Sequence, residues 1–411
     1  MTKGPKQTPR WLSIEEALQR CLAEIEPLDA ESIPLERAAG RVLAAPVLAD
    51  RDQPAFDRSM MDGFALRSAD ASTAGSTLDV VGVVAAGDVP TKAIGSGEAL
   101  RIMTGAMVPP GADAVEMFEN TQMDDTRVTL SQPVSRGKHI APRGEELRAG
   151  AVAVAERAVL TAARRGLCWS VGAAEVSVIR RPTVAILATG DELVDLRTVP
   201  KQTQIRDSNR CSVGDVLARA GAIIQKSRLV PDDRLATRTA ISEALRVADM
   251  LVLSGGVSAG DYDYVGDCLI DEGVRKVFHK VCMKPGKPLW YGRFGLKPVF
   301  GLPGNPVSSF VTARIFAAPV VRALCGRRDA RSPVVSMPLL TGFGATRGRP
   351  VFQPGIVRWG KGVELVSTRG SGDLRHFSAM NALVFLEANR SGFSVGDAVQ
   401  VYLDEEALWG E

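Results

Sequence analysis

Histidine and closely spaced cysteine are scarce in this chain. Among 411 residues there are three histidines and six cysteines, and the two closest cysteines lie 14 positions apart. No pair has the CxxC spacing typical of zinc and iron–sulfur sites. Isolated cysteines are typical of reduced thiols in a cytosolic protein. The sequence therefore disfavours a soft-metal site, and its chemistry must depend on carboxylates, basic side chains, hydroxyls and backbone groups.

A strong charge of one sign and long apolar runs are also missing. Fifty basic residues against 47 acidic ones leave a net charge of +3, which does not indicate nucleic acid or an anionic membrane as the main partner. Apolar runs such as 250–253 are far shorter than the roughly 18–20 residues of a membrane span. The N-terminal segment MTKGPKQTPRW lacks the apolar core of a signal peptide. We expect a cytoplasmic protein that binds neither nucleic acid nor membrane.

The spacing of the apolar runs divides the chain into three parts. Residues 64–159 carry short Val/Ile-rich runs interrupted by Gly, Pro and Asp, a pattern typical of β hairpins. After residue 182 the order becomes strand, glycine loop, helix, which predicts a mostly parallel, three-layer sheet. The sequence thus predicts a multidomain α/β and β protein. We expect an elongated β-rich N-terminal region over 1–180, a three-layer α/β domain over 181–327 and a small C-terminal β-barrel-like domain over 328–411.

Glycine and proline loops follow the strands of the predicted α/β domain. In such sheets ligands bind beyond the carboxyl ends of the strands. Ser254, Gly255 and Gly256 precede a helix, and glycine lets the backbone approach an anion closely, although an ordinary strand-to-helix turn would look the same. The loop lacks the GxGxxG and GxxxxGK[ST] patterns, which disfavours a dinucleotide dehydrogenase and excludes a P-loop NTPase.

Basic and hydroxyl groups occur in two rigid turns further along. Lys284 and Lys287 flank a Pro-Gly turn that could direct both ammonium groups at one anion, while solvated surface lysines are the simpler alternative. Ser308 follows the turn at 303–306 and could add a hydroxyl.

Acidic residues also collect at predicted strand ends, namely Glu192, Asp232, Asp261 and Asp263. Converging carboxylates repel one another unless a cation lies between them, and Mg²⁺ typically takes one or two carboxylates plus substrate phosphate oxygens. Asp232 could instead be an ordinary helix cap. The α/β domain therefore predicts a site for a phosphorylated ligand with magnesium.

The N-terminal region contains three similar polar turns. They place Asp62 in SMMDG, Thr104 in RIMTG and Glu146 in RGEE. Spacing alone is explained as well by turn formation or, for Glu146, by a solvated charged loop.

Together these loops carry a family resemblance. The segments SMMDGFAL, RIMTGAMVPPGADAV, RGEEL, TGDEL, IRDSNR, PDD, SGGVSAGDYDY, KPGKP and GLPGNPVSS follow one another over about 250 residues. In this order they closely resemble the MoeA family, the molybdopterin molybdenumtransferases, whose eukaryotic relative is the E domain of gephyrin. The resemblance covers nearly the whole chain.

The resemblance implies an activity and an assembly. Family members insert molybdate into adenylylated molybdopterin, release AMP and form molybdenum cofactor in a reaction that needs Mg²⁺. It also implies an elongated homodimer with four subdomains per chain, two of them interleaved in the N-terminal half. The active site would lie between the α/β domain of one subunit and the N-terminal region of the other. An upstream pterin adenylyltransferase, and downstream molybdoenzymes or their chaperones, would be further partners.

The resemblance also implies roles for matching residues. Glu146 departs from bacterial relatives, which often have Asp after RGE, so its carboxylate reaches one methylene further; Asp261 has no matching role. The implied catalytic residues are Asp62, Thr104, Glu146, Glu192, Asp232 and Asp263, of which Glu192, Asp232 and Asp263 would hold Mg²⁺. The expected substrate-binding residues are Ser254, Gly255, Gly256, Lys280, Lys284, Lys287, Pro303, Pro306 and Ser308.

Three alternatives remain at this point. A pterin adenylyltransferase would have a similar α/β domain but lacks the long N-terminal half and the β tail. A scaffold is suggested by the receptor clustering of gephyrin, although this chain has no fused second catalytic domain. A plain nucleotide-binding module would bind nucleotide without molybdate-dependent turnover.

Overall fold

The computed structural model describes residues 11–256 and 264–404. The chain forms two compact units, one over Ser32–Val178 and one that combines Met1–Glu31 with Ile179–Glu411. The second unit contains the N-terminal helix α1, Ile14–Leu22. The sequence Ser13-Ile-Glu-Glu16 predicts a capping box at its start. This prediction is confirmed, because the Ser13 hydroxyl accepts from the Glu16 amide and the Glu16 carboxylate accepts from the Ser13 amide.

The unit Ser32–Val178 is β-rich, as predicted. Its largest sheet has six strands in the order β7-β4-β6-β5-β9-β8, and three pairs, β1-β12, β2-β11 and β3-β10, form small two-stranded sheets. The elements between residues 30 and 179 are β1 (Ala30–Pro34), β2 (Val47–Leu48), β3 (Arg58–Ser59), β4 (Gly63–Leu66), β5 (Thr77–Val84), β6 (Glu98–Ile102), β7 (Ala114–Met117), β8 (Thr121–Asp124), β9 (Arg127–Leu130), β10 (Ile140–Ala141), β11 (Val152–Val154), α2 (Ala162–Ser170) and β12 (Glu175–Ile179).

The start of β4 depends on a glycine. A Cβ added to Gly63 would lie 1.9 Å from the backbone oxygen of Glu116 on the neighbouring strand. Only glycine permits this close approach of two backbones. The turn that ends at Gly63, which includes Asp62, is therefore held against the sheet.

The α/β domain follows β12. Its sheet has the order β16-β13-β17-β20-β19-β18, and the first four of these strands run parallel. Its elements are β13 (Thr183–Thr189), β14 (Leu193–Val194), β15 (Ile205–Arg206), α3 (Asn209–Ala220), β16 (Ile223–Val230), α4 (Arg234–Val247), β17 (Met250–Ser254), α5 (Val265–Asp271), β18 (Arg275–His279), β19 (Trp290–Phe294), β20 (Lys297–Leu302), α6 (Pro306–Thr312) and α7 (Ala318–Leu324), with a π-helical turn at Ala313–Ala317 between the last two helices.

Strand β13 shows why the domain has three layers. Its residues point alternately to the two faces of the sheet. Val184 and Ile186 belong to the core shared with α1, α3, α6 and α7, whereas Ala185 and Leu187 belong to the core shared with α4 and α5. Because β13 is apolar at every position from Val184 to Ala188, it requires helices on both faces. The predicted three-layer architecture is confirmed.

One strand prediction in this domain is wrong. The sequence predicts a strand over 277–283, but β18 ends at His279 because Lys280 adopts a φ of 76°. The hairpin of β19 and β20 was also not foreseen. Since β19 is antiparallel to both β18 and β20, β18 runs in the same direction as β20. The Lys284–Lys287 loop consequently still follows the carboxyl end of a strand.

The C-terminal domain is a curled antiparallel sheet of order β21-β25-β24-β22-β23. The amide of Leu340 donates to Val363 O at 2.8 Å, so the two edges of the sheet approach each other and the barrel-like prediction is confirmed. The predicted boundaries at 180/181 and 327/328 stay predictions. The elements are β21 (Val334–Pro338), β22 (Val351–Arg358), β23 (Gly362–Leu365), α8 (Leu374–Phe377), β24 (Ala382–Leu386) and β25 (Ala398–Leu403).

One helical segment in the described part of the chain, Pro306–Leu324, is long and apolar enough to cross a membrane. Its most apolar window is 83% buried inside the protein. Phe316 and Val320 lie in the main core of the α/β domain. Core packing therefore explains the apolar composition of this segment.

An ionic network anchors the amino-terminal edge of the same sheet. Arg180 donates to both carboxylate oxygens of Asp249, at 2.7 and 2.8 Å. The amide and hydroxyl of Thr183 donate to the same carboxylate, each at 2.8 Å. Burial raises the pKa of Asp249, but these hydrogen bonds outweigh it and lower the pKa to about 2.

The Asp249→Asn substitution should lower the free energy of unfolding by about 2 kcal/mol at neutral pH. A depressed carboxyl pKa stabilises the fold above about pH 4, and the stabilisation is lost as the pH falls toward about 2. Urea unfolding of both proteins at pH 7 and near pH 2.5 checks this. Asp271→Asn, which breaks an exposed pair with Arg234, should change little. An Asp249 effect that is equal at both pH values would contradict the ionic explanation.

Candidate active site

Two of the predicted residues in the unit Ser32–Val178 contact each other. The amide and hydroxyl of Thr104 donate to Asp62 Oδ1 at 2.7 and 3.1 Å. Both side chains are exposed. The Thr104 amide, followed by its hydroxyl, lowers the pKa of Asp62. Asp62 is therefore an oriented, ionised carboxylate at neutral pH.

Glu146 has a different partner. Its Oε1 accepts from Arg58 at 2.8 Å, and the two side chains are 56% and 38% exposed. Among the described residues, no hydrogen bond joins Glu146 to Asp62 or Thr104. The longer side chain noted in the sequence thus serves in a surface ion pair here.

In the second unit, two strand-end loops are tied together by acidic residues. The amide of Asp232 donates to Asp191 Oδ1 at 2.9 Å, and the amide of Asp191 donates to Asp232 Oδ2 at 3.4 Å. Glu192 is adjacent and exposed. Asp232 is not the helix cap that the sequence allowed. Asp233 caps the helix instead, because its Oδ1 accepts from Ala236 N at 2.7 Å. Asp191 was not predicted from the sequence, where the predicted functional acidic residue of this loop is its neighbour Glu192.

The predicted magnesium ligands are only partly described. Asp263 lies outside the described residues. Within 11–256 and 264–404, no group of three His, Cys, Asp or Glu side chains could hold a metal ion. Two exposed carboxylates on neighbouring loops, Glu192 and Asp232, match the chemistry of a Mg²⁺ site that is completed by substrate phosphate oxygens and water.

A buried polar cluster lies where β17 and β20 end. The side-chain amide of Asn209 donates to Ser254 Oγ and to Gly304 O, each at 2.7 Å. Gly255 adopts a φ of 93°, and a Cβ there would lie 2.6 Å from Thr189 O, so only glycine fits this turn. Ser254 and Gly255 thus lie at the carboxyl edge of the sheet, and their role in substrate binding stays a prediction. Asn209 was not predicted.

Beside this cluster lies a groove of about 440 Å³ between the α/β and C-terminal domains. Its basic side chains are Lys284, Lys287 and Arg349, and its hydroxyls include Ser308 and Ser371. Pro303 also lines it, whereas the predicted Lys280 and Pro306 are not among the lining residues. Ser308 is 4% exposed, so it lies at the base of the groove.

Hydrogen bonds between the α/β domain and the C-terminal domain fix both walls of the groove. The amide of Lys284 donates to Pro350 O at 3.0 Å, and the amide of Phe352 donates to Lys284 O at 2.7 Å. On the other wall, Asn305 Nδ2 donates to Ser371 Oγ at 3.0 Å and Val307 N donates to Ser371 O at 3.1 Å. The groove is therefore a preformed cationic site.

Arg349 and Ser371 were not predicted. Neither residue lies in a distinctive motif, and each reaches the groove only because the C-terminal domain packs against the Lys284–Lys287 loop. The sequence carried no signal that separated them from the other arginines and serines of the chain.

The ammonium group of Lys287 has an aromatic neighbour. Its Nζ lies 4.0 Å from the centre of the Trp11 ring, the geometry of a cation–π contact. Leu12 O accepts from Cys282 N at 2.8 Å, which fixes the chain next to Trp11 beside the loop that carries Lys287.

Three family models match this chain in succession. The MoeA N-terminal region (domain I and II) matches residues 12–172. A probable molybdopterin binding domain matches residues 185–323. The MoeA C-terminal region (domain IV) matches residues 336–403.

Solved structures and named relatives agree with these matches. A molybdopterin biosynthesis MoeA protein from Pyrococcus horikoshii OT3 has a TM-score of 0.83 and 26% identity, covering 96% of this chain and 100% of that one. A second crystal structure from that organism has a TM-score of 0.80 and 29% identity, covering 96% and 99%. A Staphylococcus epidermidis protein named molybdopterin molybdenumtransferase is 29% identical, covering 99% of this chain and 98% of its own. Because the Staphylococcus aureus (strain COL) protein of the same name is 32% identical over 96% of both chains, this chain belongs to the MoeA family.

Proposed function

We propose that this chain is a molybdopterin molybdenumtransferase that inserts molybdate into adenylylated molybdopterin, with release of AMP and with Mg²⁺ as cofactor. The observation that carries the proposal is the preformed groove with Lys284, Lys287 and Arg349, next to the glycine turn at 254–256. The names of the relatives support the same reaction class. As part of the proposal, the enzyme works in the cytoplasm as a homodimer.

The groove has the chemistry that an oxyanion requires. Molybdate is a small anion with oxygen atoms on every side, so it is bound by cationic and hydrogen-bond donors. The guanidinium of Arg349 offers paired N–H donors, and the two lysines act as point charges. Ser308 and Ser371 add hydroxyl donors. The protein needs no soft ligands of its own, because the sulfur atoms that bind molybdenum belong to the pterin.

The strand-end loops would receive the phosphorylated part of the pterin substrate. Glycine at 255 and 256 leaves the backbone accessible for a phosphate. Glu192 and Asp232, with Asp263 from outside the described residues, would hold Mg²⁺. When bound, the cation neutralises negative charge on the phosphoanhydride.

Turnover would cleave the bond between the AMP phosphorus and the bridging oxygen of the pterin phosphate. Water or an oxygen of bound molybdate would attack the phosphorus, and the bridging oxygen would leave with the pterin phosphate. Thr104 orients the Asp62 carboxylate, which would position substrate or water. In the proposed homodimer this pair comes from the subunit opposite the α/β domain that holds the substrate.

The deciding experiment is molybdate-dependent AMP release from adenylylated molybdopterin, with and without Mg²⁺. We expect release only when both molybdate and Mg²⁺ are present. Formation of adenylylated pterin from ATP and molybdopterin would instead indicate an adenylyltransferase. Nucleotide binding without molybdate-dependent turnover would indicate a binding module, and stoichiometric capture of a receptor would indicate a scaffold.

Trp11→Ala should weaken molybdate binding roughly two- to fivefold, because the cation–π contact contributes about 0.5–1 kcal/mol to the placement of the Lys287 ammonium. Isothermal titration calorimetry with molybdate measures the change. Trp359→Ala, which removes another partly exposed tryptophan, is the matched control and should bind normally. An additive effect of Trp11→Ala in a Lys287→Ala background would contradict the coupling.

A further inference from the structure

We propose that Asn209 is a positioning residue for this reaction, and that it holds the turn at 254–256 against the turn at 303–305. The first turn would receive the pterin phosphate, and the second forms part of the oxyanion groove. The inference rests on the proposed function, but it assigns a role to a residue of the IRDSNR segment that the reaction scheme leaves unused.

The side chain of Asn209 connects two turns at the ends of neighbouring strands. It is the first residue of α3 and is 7% exposed. Both of its Nδ2 hydrogen bonds, to Ser254 Oγ and to Gly304 O, are 2.7 Å long. Its own amide donates to Asp207 Oδ1 at 2.9 Å, which fixes the start of the helix. One side chain thus joins the ends of two parallel strands.

Only the amide group suits this position. Among the described residues, Asn209 Oδ1 is buried and has no hydrogen-bond partner, an arrangement that costs stability. Turning the amide over would place its oxygen against the carbonyl of Gly304, so that two acceptors would face each other and the donation to Gly304 O would be lost. Asn209 keeps this unsatisfied oxygen because the same amide group supplies the two N–H donors that hold the turns.

The walls of the groove do not depend on the hydrogen bonds of Asn209. Asn305 and Val307 are held by Ser371, and Lys284 is held by backbone bonds to Pro350 and Phe352. Loss of Asn209 should therefore loosen the turn at 254–256, which keeps the longer bonds from Gly255 N to Leu302 O at 3.2 Å and from Ser254 Oγ to Pro303 O at 3.5 Å. The oxyanion groove should keep its shape. This separation distinguishes a positioning role from general destabilisation.

The test compares Asn209→Ala and Asn209→Asp with wild type in three assays: molybdate affinity, affinity for adenylylated molybdopterin, and molybdate-dependent AMP release. We expect AMP release to fall at least about 30-fold and pterin affinity about tenfold, because small misplacements are costly in catalysis. Molybdate affinity should stay within about twofold, since the groove walls have their own hydrogen bonds. Asn209→Asp should be at least as impaired as Asn209→Ala, because its carboxylate would face the Gly304 carbonyl.

Asp249→Asn is the matched control, since it weakens a polar network at the opposite edge of the same sheet. It should lower stability but leave AMP release by the folded protein unchanged. The inference is overturned if the Asn209 variants keep wild-type AMP release, if molybdate affinity falls together with pterin affinity, or if Asp249→Asn loses as much activity. If wild type itself releases no AMP, the proposed function fails, and the split between the two affinities still decides the role of Asn209.

Discussion

Asp232→Ala should lower molybdate-dependent AMP release by at least about 100-fold, the size of effect expected when a charged group at a phosphoanhydride site is removed. Asp232 lies at the carboxyl edge of the sheet, and its loop is tied to the loop of Glu192 through Asp191. Glu192→Ala should have an effect of the same order. Because both carboxylates are exposed, neither substitution should unfold the protein.

Asp233→Ala is the matched control for this experiment. Asp233 is the next residue and caps α4 through Ala236 N, so its loss should cost about 1 kcal/mol of stability and leave AMP release intact. Turnover is measured at saturating Mg²⁺ and at low Mg²⁺, and the oligomeric state of each variant is checked by light scattering. Full activity in both Asp232→Ala and Glu192→Ala would refute the proposed site.

A mixture of two inactive variants should regain activity. In the proposed homodimer each active site takes Asp232 from one subunit and Asp62 from the other. A heterodimer of Asp62→Ala and Asp232→Ala then contains one site with both residues and one site with neither. Random assembly makes half of the dimers mixed, so the mixture should show roughly a quarter of wild-type activity.

The heterodimer is best isolated with two different affinity tags, and AMP release is compared with each unmixed variant and with wild type. Purified heterodimer should show about half of wild-type activity, because one of its two sites is complete. A heterodimer as inactive as both unmixed variants would show that Asp62 and Asp232 act within one subunit, which would contradict the shared site.

Local backbone requirements were readable from the sequence. The continuous apolar run of β13 predicted a strand buried on both faces, because each face of such a strand must be covered by helices. Ser13 and Glu16 predicted the start of α1 through their reciprocal hydrogen bonds. The sequence predicted Asp62 and Thr104 in two separate turns. It did not predict their contact, since nothing local joins positions 42 residues apart.

The sequence by itself determined that histidine and closely spaced cysteine are scarce. The site must therefore use oxygen and nitrogen groups. The order of the polar loops also placed them at strand ends without reference to structure. The tertiary fold decided which loops meet. Arg349 and Ser371 join Lys284 only because the C-terminal domain packs there, and Asn209 meets Gly304 only because two parallel strands end side by side. Sequence patterns encode the conformation of neighbouring residues, whereas such encounters depend on packing between distant segments.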